Sequence, residues 1–289
     1  MVLSLRYDPY LLLEIQVCFY IGHNLFKILS QPIGIIEALL EGGVLLKENT
    51  FCRREKKLLV DSQLIPVLKQ EFLRYMRPDK HNKDGLPYVI SNLYFDNDCD
   101  DSIRHSISKP SFKEKLRLRV YGLSPTKDSE AFIELKKKLN RVGTKRRAVL
   151  TLGQAEDYIA TGRHPDGLSY LDEQVLREID YYLSVTHAAP KVYISYQRNA
   201  YFGMEDSSLR ITIDQDILTR RDNLVLDDGR YGTPLLPEGK TLLEIKFTGA
   251  LPMWMANLMS QYHLTFGSFS KYGTEYKHFL WNNHQIPYV

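Results

Sequence analysis

Short runs of alternating apolar and polar residues dominate the chain from about residue 50 onwards. These runs are rich in Val, Ile, Tyr, Phe and Leu and are bounded by turn residues such as Gly122, Gly203 and Gly249. Both features are typical of β-strands. The pattern predicts eight strands, at about residues 50–60, 87–96, 112–121, 130–139, 142–150, 191–202, 207–215 and 240–248.

Apolar residues at helical spacing predict helices between some of these strands. The two clear stripes are Leu64, Val67, Leu68, Phe72 and Tyr75 after Asp61–Ser62, and Leu171, Val175, Ile179 and Leu183 after Ser169. Asp and Ser are favoured capping residues, which supports both starts. A shorter helix is predicted to begin at Pro252, because proline is favoured in a first helical turn. Residues 222–240, rich in Gly, Pro and Asp, predict a long loop.

The element order predicts an α+β fold built on one antiparallel sheet. Many strands with few long helical crossovers favour antiparallel pairing. Eight strands is a common number for closing a sheet, so we expect a closed eight-stranded antiparallel β-barrel with helices packed around it. No linker divides residues 50–280, which predicts a single domain there.

The polar positions of these strands carry charges of both signs. In Lys115-Leu116-Arg117-Leu118-Arg119-Val120-Tyr121, one side is apolar and the other is basic. The same alternation recurs around Glu134, Arg198, Arg210, Asp214 and Glu244, and Lys145 and Arg147 share one side of the intervening strand. One interpretation is a solvated sheet face. Recurrence over six strands favours the alternative, an enclosed ionic site.

A Glu-x-Lys triplet occurs three times, at Glu55–Lys57, Glu134–Lys136 and Glu244–Lys246. Residues two apart in a strand lie on the same face, about 6.6 Å apart. Carboxylates bind hard divalent cations through oxygen, while Lys and Arg bind phosphate oxygens. The triplets therefore indicate a site for a complex of a metal and a polyanion.

Net charge alone hides where the basic residues are. The chain has 38 Lys and Arg against 35 Asp and Glu, a net charge of +3. Residues 113–147, however, hold 12 basic and 4 acidic residues, which leaves −5 for the remaining 254. One localised anion site is predicted, and nucleic acid is the less favoured partner, because it would need an outward-facing basic patch. Three widely spaced cysteines favour a reducing compartment.

The first 50 residues are apolar-rich and have no assigned chemistry. The longest uncharged run there, residues 15–26, has 12 residues, fewer than the roughly 20 that span a bilayer. No signal-peptide pattern is present. We expect an N-terminal extension (1–50), one main folded domain (51–280) and a short tail (281–289), in a cytoplasmic protein without a transmembrane helix. Peripheral membrane association and a membrane-protein partner remain open.

Eight segments in order resemble the VTC domain, the catalytic domain of the vacuolar transporter chaperone polyphosphate polymerases. This domain falls within the CYTH, or triphosphate tunnel metalloenzyme, superfamily. The resemblance covers about residues 51–280. Its segments are KLLV (57–60), LYFD (93–96), LRLRVYG (116–122), FIELK (132–136), YQR (196–198), LRITID (209–214), LEIK (243–246) and FSKY (269–272).

The resemblance implies a tunnel whose lumen binds triphosphate or polyphosphate. Lumen phosphate ligands would be Lys57, Arg117, Arg119, Lys136, Arg198, Arg210, Lys246 and Lys271. Lys145 and Arg147 would add basic contacts, and Tyr196 and Ser270 would add hydroxyl contacts. Glu244 would ligate Mn²⁺ or Mg²⁺. Glu134 and Asp214 are further metal candidates, or else they orient a neighbouring Arg or Lys.

The chain departs from the family pattern in three places. Ser268 stands where these polymerases often have a lysine, and Arg53 replaces the first Glu of the ExExK motif of tunnel triphosphatases. The departure at Arg53 weakens a plain triphosphatase interpretation. Finally, the sequence contains neither the phosphate-sensing SPX domain nor the transmembrane helices of the eukaryotic complexes. Coupled translocation is therefore not expected from this chain alone.

The reaction that these features favour is phosphoryl transfer from ATP to a growing inorganic polyphosphate chain. The sequence has no Walker, kinase, GxSxG or HExxH motif, and phosphoryl transfer needs mainly positioning and charge neutralisation. Arg117, Arg119, Arg198 and Lys271 would surround the γ-phosphate beside a metal on Glu244. The alternatives are a tunnel triphosphatase and a non-catalytic polyphosphate-binding module.

Overall fold

The structure is a computed structural model that describes residues 54–82, 85–140 and 142–283. The predicted extension (1–50), Arg53 and the last six residues of the predicted tail (284–289) lie outside the described residues. The predicted three-part domain division therefore stays a prediction.

All eight predicted strands are present within about six residues of their predicted ends. The strands are β1 (Arg54–Asp61), β2 (Met76–Pro78), β3 (Tyr88–Asp96), β4 (Phe112–Tyr121), β5 (Glu130–Leu139), β6 (Val142–Thr151), β7 (Ala189–Gly203), β8 (Arg210–Arg220), β9 (Thr233–Pro234) and β10 (Lys240–Phe247). The two additional strands, β2 and β9, have three and two residues, too few for an alternating pattern to be visible.

The main sheet is antiparallel, but it does not close. Its order is β1-β10-β8-β7-β3-β4-β5-β6, with β2 added to β7 and β9 to β8. Strands β1 and β6 stand at opposite ends of this order, and they do not pair with each other. The predicted closed barrel is therefore wrong, while the predicted α+β class with a large antiparallel sheet is confirmed.

The free edge of β1 is partly covered by a loop. The Gly267 amide donates a hydrogen bond of 2.7 Å to the carbonyl oxygen of Lys57, forming an isolated antiparallel bridge. The sheet is nevertheless strongly curled. Lys57 on β1 and Lys136 on β5 line the same cavity, although six strand spacings would separate them by about 29 Å in a flat sheet.

Six α-helices and one 3₁₀ turn (Ser62–Leu64) are found among the described residues. The helices are α1 (Ile65–Leu73), α2 (Asp101–Ile107), α3 (Leu152–Thr161), α4 (Tyr170–Thr186), α5 (Met253–Gln261) and α6 (Lys271–Asn282). The three predicted helices correspond to α1, α4 and α5. The start of α3 carries a capping box between Thr151 and Gln154, a sequence signal that the apolar pattern alone misses.

Helices α1, α3, α4 and α5 cover the apolar side of the strands. Leu116 and Leu118 of β4 are buried in a cluster with Val175 and Ile179 of α4. A second cluster joins β1, β8 and β10 to α1 and α5. The polar side of the strands therefore faces the inside of the curl.

Helix α6 packs against that inner side near one end. Its Tyr272 ring lies 5.1 Å from the ring of Tyr94, which pairs across the sheet with Arg117. The Tyr272 hydroxyl donates a 2.8 Å hydrogen bond to Asp96, which fixes the start of the helix. Lys271, the first residue of α6, is thereby held over the inner side.

The apolar cluster that β4 and β5 form with α4 should dominate the stability of the domain. Ile133 on β5 is completely buried, whereas Leu139 on the same strand is half exposed. We expect Ile133→Ala to lower the free energy of unfolding by about 2–5 kcal/mol through lost burial and a residual cavity. Leu139→Ala is the matched control and should lower it by less than about 1 kcal/mol. Urea unfolding measures both, and equal effects would contradict this placement of the core.

Candidate functional site

Charged side chains from seven of the eight principal strands meet inside the curl, and this surface is named the charged face here. Its members are Glu55, Lys57, Arg117, Arg119, Glu134, Lys136, Lys145, Arg147, Tyr196, Arg198, Arg210, Asp214, Glu244 and Lys246, with Lys271 from α6. Glu134 and Asp214 are 1% and 0% exposed. The solvated-face interpretation is therefore excluded for the centre of this surface.

Glu134 on β5 holds three cations from the neighbouring strands. Arg117 and Arg147 are its direct cross-strand partners, so all three side chains point to the same side. Arg117 Nε donates to Glu134 Oε2 at 2.7 Å, and Arg147 Nη2 donates to Oε1 at 2.6 Å. Lys145 Nζ lies 3.4 Å from Oε1. Burial alone would raise the pKa of Glu134, but Arg117 and Arg119 hold it well below its ordinary value.

Asp214 on β8 forms a second buried ion cluster. Arg198 on β7 donates to both carboxylate oxygens, at 2.6 and 2.7 Å, and Lys271 Nζ donates to Oδ2 at 2.5 Å. Lys271 also lies 3.4 Å from Glu244 Oε1. Burial opposes the charged form of Lys271, yet Asp214 and Glu244 raise its pKa. Helix α6 is thus tied electrostatically to β8 and β10.

A third cluster joins two carboxylates and two lysines on β1 and β10. Lys57 Nζ lies 3.2 Å from Glu55 and 3.6 Å from Glu244, and Lys246 Nζ lies 3.5 and 3.7 Å from the same two residues. Burial would raise the pKa of Glu55, but Lys246 and Lys57 lower it to about 2. Both carboxylates are therefore charged at neutral pH.

Arg119 lies between these clusters with neutral partners. Its Nε donates to Asn92 Oδ1 at 2.8 Å, and its Nη2 donates to the Tyr196 hydroxyl at 3.1 Å. Arg119 is only 7% exposed, and within the described residues no carboxylate lies within 4 Å of its guanidinium. Burial would raise the pKa of Tyr196, but Arg119, Arg198 and Lys271 lower it to about 8. This part of the charged face has a surplus of positive charge.

Two predicted ligands lie towards the periphery. Arg210 is 3.7 Å from Asp79, and its buried Nε has no hydrogen-bond partner within the described part of the chain. The Ser270 hydroxyl caps helix α6 by accepting a hydrogen bond from the Gly273 amide. Ser270 also lines the cavity that Lys57 and Lys136 share.

The donor set fits a divalent cation best at Glu244 and Glu55. Glu134 and Asp214 already accept hydrogen bonds from two or three cations each, so their oxygens are occupied by ion pairs. Glu244 and Glu55 have only longer lysine contacts, of 3.2–3.7 Å. No group of three or more His, Cys, Asp or Glu side chains suited to a metal occurs among the described residues. Magnesium and manganese sites with one or two carboxylates are commonly completed by phosphate oxygens and water.

Several contributors were not among the predicted site residues. Glu55 was visible only as part of a Glu-x-Lys triplet, and Lys115 only as one end of the basic alternation in β4. Asn92 and Tyr94 lie on β3, opposite Arg119 and Arg117. Their contacts with these two arginines depend on the order of the strands in the sheet, which the spacing of residues along the chain does not reveal.

The comparisons with known proteins identify a domain family. A family model described as VTC domain matches residues 52–280. No curated protein matches the chain. Among the described residues, no helix is both long enough and apolar enough to cross a membrane.

Solved structures show distant similarity. A Bacillus halodurans protein named as a candidate adenylate cyclase shares 13% identity, with 77% of this chain and 95% of that chain covered and a TM-score of 0.45. A protein from Pyrococcus horikoshii OT3 shares 10% identity, covering 78% and 98%, with a TM-score of 0.42. These values are too low to assign a function.

The Glu134 cluster should determine part of the acid stability. Because its folded pKa lies below the unfolded value of 4.5, its contribution is present above that pH and is lost as the pH falls further. We expect Glu134→Gln to lower the free energy of unfolding by about 3 kcal/mol at pH 7, by leaving the partly buried Arg117 and Arg147 without their carboxylate. The variant should also lose less stability below pH 4.5 than the parent protein.

Urea unfolding at pH 7 and pH 3 measures this effect. The control is Glu114→Gln on β4, whose partner Lys137 lies 3.2 Å away on the opposite, more accessible side. That pair should contribute less than about 1 kcal/mol. An effect of Glu134→Gln no larger than the control would contradict the assigned cluster.

Proposed function

Because the chain belongs to the VTC domain family, we propose that it is a polyphosphate polymerase. It would transfer the γ-phosphate of ATP to the end of an inorganic polyphosphate chain. The observation that carries the proposal is the buried guanidinium of Arg119, whose hydrogen-bond partners are neutral oxygens. A buried charge is expensive unless it is paired, so this position favours an anionic ligand.

The phosphate being transferred would lie between the clusters of Glu134 and Asp214. Arg117, Arg119, Arg198 and Lys271 are the proposed catalytic cations, because they border this surplus of positive charge. Lys57, Lys136, Lys145, Arg147, Tyr196, Arg210, Lys246 and Ser270 are the proposed contacts to the rest of the substrate. The buried carboxylates fix the cations before the substrate arrives, so that little reorganisation is needed during the reaction.

The reaction requires no covalent intermediate on the protein. An oxygen of the terminal phosphate of the chain forms a bond to the γ-phosphorus of ATP. The bond between that phosphorus and the bridging oxygen breaks, and the electron pair leaves with ADP. Cations on both sides of the transferred group neutralise its charge and orient the two reacting phosphates in line.

Glu244, with Glu55 beside it, is the proposed holder of Mn²⁺ or Mg²⁺. When bound, such an ion supplies additional neutralisation of phosphate charge. Lys57 and Lys246 flank both carboxylates and, together with Lys271 beside Glu244, keep them ionised. These two lysines would bind phosphate oxygens adjacent to the ion.

A tunnel triphosphatase is the second candidate function. The pair of ionised carboxylates at Glu55 and Glu244 favours it, since such a pair also suits hydrolysis of a metal-bound triphosphate. The two reactions differ in the acceptor, a phosphate chain or water. Analysis of the reaction products therefore distinguishes the two reactions directly.

The test is incubation of the purified protein with ATP and Mn²⁺, followed by electrophoresis of acid-labile chains. Polymer together with ADP is the expected result. Arg119→Gln should lower the rate about 30- to 1,000-fold, which corresponds to about 2–4 kcal/mol of transition-state stabilisation. Arg163→Gln, at an exposed position after α3, is the matched control and should leave the rate unchanged.

Two outcomes would contradict the polymerase proposal. Phosphate release from tripolyphosphate without polymer would support the triphosphatase. Tight, salt-sensitive binding of polyphosphate without any turnover would support a binding module, and Glu244→Gln would then barely change an affinity measured without metal.

A further inference from the structure

A lysine-rich cavity of about 380 Å³ opens beside the charged face. It lies between β4, β5, the end of α2 and the start of α6. None of its lining residues is acidic. Its lysines are Lys57, Lys109, Lys113, Lys115, Lys136, Lys138 and Lys277. Only Lys57 and Lys136 are among the ligands that the sequence predicts, so five of the seven lysines are additional.

The register of β4 and β5 places like charges directly opposite each other. Lys113 pairs with Lys138, and Lys115 pairs with Lys136, on the side that faces the cavity. Like charges in such positions destabilise a sheet. On the other side of the same strands, Glu114 pairs with Lys137 as complementary charges 3.2 Å apart. The two strands therefore neutralise their outer face but not the cavity.

Burial, more than repulsion between lysines, lowers the pKa of the inner lysines. Burial, together with Lys113 and Lys136, lowers the pKa of Lys115 to about 8. Burial is also the largest cause of the lowering of the pKa of Lys136 to about 8, although its side chain remains open to the solvent in the cavity. An anion in the cavity would favour the charged form of both lysines and so raise both pKa values.

The start of α6 adds hydrogen-bonding groups to the same cavity. Ser270 and Thr274 line it, and the first turn of this twelve-residue helix carries a partial positive charge. Lys57 connects the cavity with the charged face, because it lines the cavity and also lies 3.6 Å from Glu244. A long anion could therefore occupy both places at once.

We infer that this cavity binds the part of an inorganic polyphosphate chain that extends beyond the phosphates held on the charged face. Internal phosphates of such a chain each carry negative charge and have no bulky substituent, which suits closely spaced ammonium groups. The inference rests on the proposed function only for the identity of the polymer. The binding itself needs neither ATP, metal nor turnover.

The lining favours polyphosphate over nucleic acid. Single-stranded nucleic acid is usually held by several aromatic side chains on which successive bases stack. Phe269 is the only aromatic residue that lines this cavity in the described part of the chain. The lysines and hydroxyl groups that line the cavity would bind phosphate groups rather than bases.

The experiment compares affinities for tripolyphosphate and for long-chain polyphosphate without metal, over a range of salt concentrations. The double variant Lys113→Gln/Lys138→Gln removes one cross-strand pair from the cavity. We expect it to weaken long-chain binding about tenfold at low salt and to reduce the slope of log Kd against log salt by about one to two. Its affinity for tripolyphosphate should stay within about twofold of the parent value.

The control is Lys56→Gln/Lys240→Gln, which removes the same charge from exposed positions elsewhere on β1 and β10. It should change neither affinity. Lys277→Gln, at an exposed position on α6, provides a second cavity variant if the double variant has a lower melting temperature. It should weaken long-chain binding selectively as well, by a smaller factor.

Three results would overturn the inference. Unchanged long-chain affinity in both cavity variants would show that the cavity is not a polyphosphate site. Equal loss of tripolyphosphate and long-chain binding would show a general electrostatic effect. Tighter binding of single-stranded RNA, or of vesicles with anionic lipids, than of long-chain polyphosphate would identify another class of partner. A protein that makes no polymer but passes these tests would refute only the polymerase proposal.

Discussion

Charge burial inside a curled sheet is the constraint on which this structure depends. Burying an ion costs several kcal/mol unless it is paired, which is a large part of the stability of a domain. The inner side of the sheet meets this requirement with Glu134, Asp214 and Glu244, each of which contacts two or more basic groups. These carboxylates make a cationic surface compatible with a folded core, and they fix its cations in place.

The same constraint divides the basic groups of the charged face into two kinds: those already paired with a carboxylate, and those still able to pair with a ligand anion. Arg198 donates hydrogen bonds to both carboxylate oxygens of Asp214, whereas the hydrogen-bond partners of Arg119 are all neutral. A ligand anion therefore gains most at Arg119 and in the cavity of opposed lysines. Near-neutral net charge is consistent with this arrangement, because acidic residues elsewhere offset a basic interior.

The alternation of apolar and polar residues predicted the strands and the charged side of each, because every strand of the site has this period of two. It did not predict that the sheet stays open. Closure depends on the pairing of β1 with β6, and in this chain the β1 edge instead meets Gly267. Cross-strand register was equally invisible, so the sequence left the roles of Glu134 and Asp214 open and missed the pairing of Lys113 with Lys138. Helices α2 and α6 were missed because their apolar residues contact the inner side, where the pattern is mixed.

The central claim is that the inner side of the sheet binds a phosphate chain around Arg119. A crystal structure of the protein with tripolyphosphate and Mn²⁺ tests it most directly. We expect phosphate oxygens within hydrogen-bonding distance of Arg119 and Lys271, with the ion beside Glu244. Phosphate bound only outside the curl, with Arg119 still bonded only to its neutral partners Asn92, Tyr121 and Tyr196, would contradict it.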